Sequence, residues 1–336
     1  MKFRLFLLAV LLTIGTALSA QKLHNLREIM DIMTASDVTY SIATSDFSDS
    51  VYDYTKNLLG NNVYRTKGSN GMEIKEYELE GQAAELFDEA ENFFQKQNYS
   101  SARSRYQKVL ELNPTCYKVI SYIGDTYFHE GDLQKAREWY KKAIDKNYID
   151  YLAHWFYADA CLGLGDKQTA LREITIAKVL NRNNPRLTKK LQEIYKLNKL
   201  DYKDWYFTPK YALEKTYDAK RDKDVVKVSY GDYWLGYALV QAVWHYEPGY
   251  AESMDNSFLL QSKEAVAAVA LSTDKKVHKK DVALRVLDKA LSEGTFEAYV
   301  LYEDILPRNP GVCWYLDEEA VEKLADYVLK VRCKVK

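Results

Sequence analysis

The stretch YIGDTYFHEGDLQKAREWYKKAI, residues 122–144, decides the fold. It reads as the end of one helix, a tight turn at Gly131, and a second helix opened by Asp132. An aspartate there accepts the free amide hydrogens of the helix it precedes, and glycine permits the turn. Gly124 and Ala136 are small where two antiparallel helices must approach closely. Tyr127 and Tyr140 are large and fill the space between one helix pair and the next. The pattern recurs on both sides with a period of 34 residues, the mark of a stacked repeat architecture. Ala102, Ala136 and Ala170 keep that interval, as do Ala90, Gly124 and Ala158. So do Phe93, Tyr127 and Cys161, then Tyr106, Tyr140 and Ile174, then Val109, Ala143 and Ala177. Asn98, Asp132 and Asp166 open the second helix of each unit, and Gly165 takes the place of Gly131 in the third.

This small–aromatic–Gly–Ala–aromatic–Ala order resembles the tetratricopeptide repeat family, as found in secreted bacterial proteins. The resemblance covers about a hundred residues, under a third of the chain. Repeat one ends in the Pro114 that the family expects, repeat two has Tyr148 there, and repeat three ends at Asn184-Pro185. Residue 97 is Gln where the family often has Gly. The resemblance implies a predominantly all-α fold, a solenoid of three helix-turn-helix repeats over 83–199. A capping helix closes it, opened by Pro185 and built on Leu187, Leu191, Ile194 and Tyr195.

Outward from the repeats the texture changes. Residues 21–82 read as an N-terminal amphipathic helix on Leu23, Leu26, Met30 and Met33, followed by a loose connection through the Gly/Asn-rich segment 60–71. Residues 200–336 read as a mostly helical, aromatic-rich C-terminal domain with a small β-hairpin over 211–217 and 225–230. Its helices are expected from Asp232, where Trp234, Ala238 and Ala242 share one face, and over 257–272, 280–293, 295–306 and 317–331. Ala283, Leu287 and Ala290 repeat the spacing of a repeat's second helix once.

The first twenty residues read as a signal peptide: Lys2 and Arg4, an apolar run from Leu5 to Leu12, then Ala17, Ser19 and Ala20. Cleavage after Ser19 and after Ala20 both fit. No cysteine follows the run, so no lipid attachment is expected, and no later stretch is long and apolar enough to span a bilayer. The expected location is the periplasm or outside the cell. Among 336 residues, 47 Lys+Arg stand against 48 Asp+Glu, a net charge of -1, which excludes the broad positive field of a nucleic-acid binder. Fourteen Gly and six Pro are few, in keeping with helix, and 28 Tyr are unusually many. The four cysteines (Cys116, Cys161, Cys313, Cys333) form no framework, although Cys313 and Cys333 could bridge.

Enzymatic signatures are absent: no GxSxG, no GxxxxGK, no GxGxxG, no HExxH. No catalytic residue, cofactor or metal is expected. His129, Glu130 and Asp132 cluster, but Asp132 serves as an N-cap and the other two end an exposed helix. What remains is a surface. In the family, the first helix of each pair lines the concave side. By that analogy Phe87, Glu91 and Phe94, then Ser121, Asp125 and Phe128, then Trp155, Asp159 and Leu162 line a peptide-binding groove. Glu91, Asp125 and Asp159 form an acidic row at the repeat period, beside an apolar row of Phe94, Phe128 and Leu162. Such a face suits an extended or helical protein segment with apolar anchors and a basic residue. The basic-and-Asn clamp that some relatives use for a terminal carboxylate is missing. The expected function is therefore an exported, non-catalytic adaptor that binds a protein or peptide partner in an envelope assembly. The alternative is carbohydrate or cell-wall recognition, enzymatic or not, with Trp205, Trp234, Trp244 and Trp314 stacking on sugar rings.

Overall fold

The computed structural model describes residues 23–48, 52–69, 71–220 and 222–335; the expected signal segment lies outside the described residues. In chain order come α1 (Leu26–Ala35), β1 (Thr39–Thr44), β2 (Val63–Gly68) and β3 (Gly71–Glu76). The repeats follow as α2 (Gly81–Gln95), α3 (Tyr99–Leu112), α4 (Lys118–His129), α5 (Leu133–Lys146), α6 (Tyr151–Gly163) and α7 (Lys167–Leu180), with α8 (Pro185–Leu197) after them. Next are β4 (Tyr211–Asp218), β5 (Lys223–Tyr230), α9 (Leu235–Tyr246), α10 (Tyr250–Ser253), α11 (Phe258–Ser272) and α12 (Lys275–Lys280). The chain finishes through α13 (Val282–Ser292), α14 (Phe296–Tyr299), a π-helical turn (Val300–Ile305), α15 (Leu306–Arg308) and α16 (Glu318–Lys330). The protein is mostly helical.

It packs as two units, each drawn from separate stretches. The repeat unit takes Thr55–Asp204 and Leu306–Cys333. The sheet unit takes the described residues before Thr55, Trp205–Ile305, and the end of the chain from Lys334. These limits differ from the sequence boundaries at 82/83 and 199/200. Residues 55–82 and α16 pack with the repeats, whereas α1 and β1 pack with residues 205–305.

In the repeat unit, α2–α3, α4–α5 and α6–α7 are antiparallel pairs. Ala90, Ala102, Ala136, Ala158 and Ala170 are fully buried, and so are Tyr106 and Tyr140 to within a per cent. Gly124 shows why the position must be small: a Cβ there would stand 2.6 Å from the Tyr140 ring. Asn98, Asp132 and Asp166 cap α3, α5 and α7, accepting from the amides of Ser101, Lys135 and Thr169. Gly131 and Gly165 both sit at φ +84°, and Gln97 at the equivalent place is forced to φ +59°. In α8, Leu187, Leu191, Ile194 and Tyr195 are fully buried. Helix α16 packs along α7, where Arg172 holds Glu322 and Asp326.

The loose connection expected before the repeats contains an antiparallel hairpin, β2 on β3, running from the Val63–Glu76 pair to Gly68–Gly71. Its Tyr64 stacks on Tyr77 at 5.0 Å, and Tyr117 meets Tyr64 edge-on at 5.6 Å. Three asparagines at the repeat period fasten this segment. Asn113, Asn147 and Asn181 end α3, α5 and α7, and their side-chain amides donate to the carbonyls of Glu78 (2.8 Å), Val63 (3.0 Å) and Leu59 (3.1 Å).

In the sheet unit, β5 is central, antiparallel to β4 and parallel to β1. The β4–β5 hairpin matches the sequence expectation; β1 does not announce itself because its partner lies far along the chain. Val226 and Val228 of β5 are fully buried, and α9 packs against β4, β5, α1 and α11. A Cβ on Gly236 of α9 would lie 2.9 Å from the Ala268 carbonyl, so this glycine sets the α9–α11 approach. Buried Glu264 of α11 accepts from the Trp244 indole (2.8 Å), the Tyr250 hydroxyl (3.0 Å) and the His24 amide (2.7 Å). All four cysteines are free thiols, so Cys313 and Cys333 are not bridged; the Cys313 thiol donates to the Leu180 carbonyl instead.

Candidate functional site

The inward positions of α2, α4 and α6 are the candidate site. Phe87, Glu91, Phe94, Asp125, Phe128, Trp155, Asp159 and Leu162 are all half-buried. Ser121 differs: it is 2% exposed and its hydroxyl has no partner, so it lies beneath this face rather than on it.

Each carboxylate of the acidic row is held by a residue from a later helix. Tyr106 of α3 donates its hydroxyl to Glu91, and Tyr140 of α5 donates to Asp125 at 2.6 Å. The third repeat has Ile174 at the tyrosine position, which has no hydroxyl to give. There Lys190 of α8 reaches Asp159 at 2.7 Å instead. Among the described residues only Asp159 of the three has a cationic partner. The tyrosines that read as fillers between repeats are therefore also the donors that orient the acidic row.

The electrostatics follow from this placement. Burial pushes the Asp125 carboxyl up to about 7, opposed by the Tyr140 hydrogen bond and reinforced by the negative charges of Glu91, Asp150 and Asp159. Asp150, the N-cap of α6, is pushed up by burial to about 6, against the pull of the Ala153 and Leu152 amides and of His154 and Lys118. Burial also raises Asp159, with the Lys190 contact opposing it. The row thus lies in a negative field that its own chain leaves largely uncompensated.

The apolar row is ring-rich. Phe94 meets His129 edge-on at 5.2 Å and Tyr99 at 5.4 Å; Phe87 lies 6.0 Å from the Tyr106 ring and 5.9 Å from Tyr122. Glu130 pairs with Arg103 and Asp132 caps α5, so the His129–Glu130–Asp132 cluster is occupied by structural duties. No group of three His, Cys, Asp or Glu is placed to hold a metal ion among the described residues. Lys118 and Tyr122 of α4 also belong to this face, although the sequence reading did not select them. The Lys118 ammonium donates to the Asn62 side chain at 2.9 Å, and Asn61 hydrogen-bonds Tyr122. The segment before β2 therefore covers the Lys118 end of α4. The Asn113–Asn147–Asn181 spacing marks where the segment is fastened, not which residues of α4 it covers.

Of the tryptophans considered for sugar stacking, Trp234 and Trp244 are 4% and 7% exposed. Trp234 packs edge-on against Phe207 at 4.9 Å, and Trp244 spends its N–H on Glu264. Neither offers a ring face to a ligand. Trp205 and Trp314 are half-buried, and Trp314 falls in the repeat unit.

Comparison with known proteins adds the following. The tetratricopeptide repeat family model matches residues 87–150. Among solved structures, the first such domain of Spaghetti (RPAP3), bound to the HSP90 peptide SRMEEVD, is 19% identical; the alignment covers 35% of this chain and 94% of that one, with TM-score 0.33. The Yersinia enterocolitica type III secretion chaperone SycD, in complex with a peptide of the translocator YopD, is 21% identical over 37% of this chain and 99% of that one, with TM-score 0.33. Yeast Tom70 is 19% identical over 75% of this chain and 49% of that one, with TM-score 0.30. No curated protein matches the chain. The family match covers α2 to α5, four of the six helices that carry the 34-residue period, and that stretch is similar to tetratricopeptide repeats.

Proposed function

We propose that the protein is a non-catalytic adaptor whose repeats bind a partner protein along the inner face of α2, α4 and α6. The observation that carries this reading is the pair of parallel rows there. Three carboxylates recur at the repeat period beside three half-buried apolar side chains, and among the described residues two of the three acids have no ion-pair partner. A basic side chain of the partner relieves that field, and an apolar one covers Phe94 and Phe128. The partner is a segment, extended or helical, that pairs Lys or Arg with large apolar residues. Export to the periplasm or beyond, after removal of residues 1–19 or 1–20, and work within an envelope assembly complete the proposal.

The test is a peptide array probed with the full chain and with Glu91→Gln and Phe128→Ala variants. Peptides that pair basic with apolar residues bind, and each variant weakens them about tenfold, the usual scale for loss of one well-placed contact. Equal binding by both variants and the parent overturns the site. Amino-terminal sequencing of the protein from cell fractions checks export: a mature start at Ala20 or Gln21 is expected.

A further inference from the structure

A cavity of about 720 Å³ lies in the sheet unit, beside α12 and between the end of α11 and α13. Its charged lining is Lys275, Lys279 and Arg285 against one acid, Asp288. That acid is engaged by the Nδ1 of His278 at 2.8 Å. An ionised carboxylate accepts, so Nδ1 carries a proton. His278 is 6% exposed, yet Nε2 has no hydrogen-bond partner. The same is true of the Thr273 hydroxyl and of the Arg285 Nε, while Arg285 is fixed by its Nη1 donating to the Lys279 carbonyl at 3.0 Å. Buried polar atoms are ordinarily satisfied, and three orphans lining one cavity ask for a common partner.

We propose that this cavity binds a small molecule bearing a phosphomonoester. The lining supplies cations and N–H and O–H donors for anionic oxygens. A phosphomonoester, mostly dianionic at neutral pH, has oxygens to accept from Lys275, Lys279, Thr273 and Arg285. Sulfate has oxygens of the same kind but no organic remainder for the rest of the cavity. The volume exceeds what the phosphate alone needs, and Ala270, Leu271 and Val335 supply an apolar wall for an organic remainder. This site is independent of the repeat groove and stands or falls apart from it.

The experiment is calorimetric titration of the full chain with glycerol 3-phosphate and with sulfate, alongside sedimentation with vesicles of phosphatidylcholine with and without phosphatidic acid. The variants are Lys275→Gln with Lys279→Gln, both exposed positions, and separately Thr273→Val. Saturable binding of the phosphomonoester is expected with a dissociation constant of about 1 mM or tighter, and at least about tenfold weaker in each variant. Binding of glycerol 3-phosphate identifies a free metabolite as the source, and binding only of phosphatidic acid vesicles identifies a lipid headgroup. No saturation with either phosphomonoester, equal affinity for sulfate, or affinities unchanged in the variants overturns the proposal.

Discussion

At position 97 the chain carries glutamine in a backbone conformation that its two repeat-mates fill with glycine. A side chain at positive φ costs on the order of 1 kcal/mol, partly offset by the looser unfolded chain that glycine brings. Gln97→Gly is therefore expected to raise unfolding stability by about 0.5 kcal/mol, measured by urea denaturation. Gly124→Ala acts oppositely. The new methyl meets a tyrosine ring that is itself buried and hydrogen-bonded to Asp125. A loss of about 1–3 kcal/mol is expected, with the transition slope unchanged. Asp125 gives a pH signature. Its folded pKa, about 7, stands above its ordinary 3.8, so the folded state binds its proton more tightly than the unfolded chain does. Its contribution favours folding most below about 4 and is lost as pH rises toward 7. Asp125→Asn keeps an acceptor for Tyr140 and removes the charge. Denaturation midpoints of this variant are expected to exceed the parent's at pH 8, by on the order of 1 kcal/mol, and to match it near pH 4. Equal midpoints at both pH values refute the assigned burial.

The asparagines at helix ends act at the scale of elements. Asn147 is 2% exposed, gives hydrogen bonds to Val63 and to the Tyr77 hydroxyl (3.1 Å), and joins the hairpin β2–β3 to the repeats. Asn147→Ala leaves a buried carbonyl without its donor, at about 1–3 kcal/mol. Hydrogen exchange should show protection lost over residues 63–76 and retained in α5; loss spread evenly over the repeats speaks against a local fastening. Legibility in the sequence follows the same division. The helix pairs were readable because Ala, Gly and Tyr must recur where packed helices touch, and N-caps must recur where they start. The β4–β5 hairpin was readable because Val226 and Val228 alternate with polar residues across a charged turn. The hairpin β2–β3 was not, since both its faces are only half-buried and its alternation is weak. Of the candidate site, the acidic and apolar positions could be placed from spacing. The contacts of Lys118 and Tyr122 depend on neighbours from outside the repeats, which no local pattern encodes.

For the whole molecule, the decisive fact is that the chain enters each unit more than once. A fragment cut at the sequence boundary, residues 200–336, lacks β1 and α1 and carries α16 away from α7. It is expected to show no cooperative thermal transition by circular dichroism, whereas the intact chain does; a sharp melt from the fragment would contradict the division described above. Residues 83–199 alone lack the segment bonded to Asn113, Asn147 and Asn181. The parallel pairing of Thr39–Thr44 with Val225–Tyr230 has one more outcome. On a ribosome adding about 5–20 residues per second, the first strand emerges roughly ten to forty seconds before its neighbour is synthesised. Throughout that interval an amphipathic helix and an open strand edge travel unaccompanied. Such a polypeptide is slow to close on itself during translation.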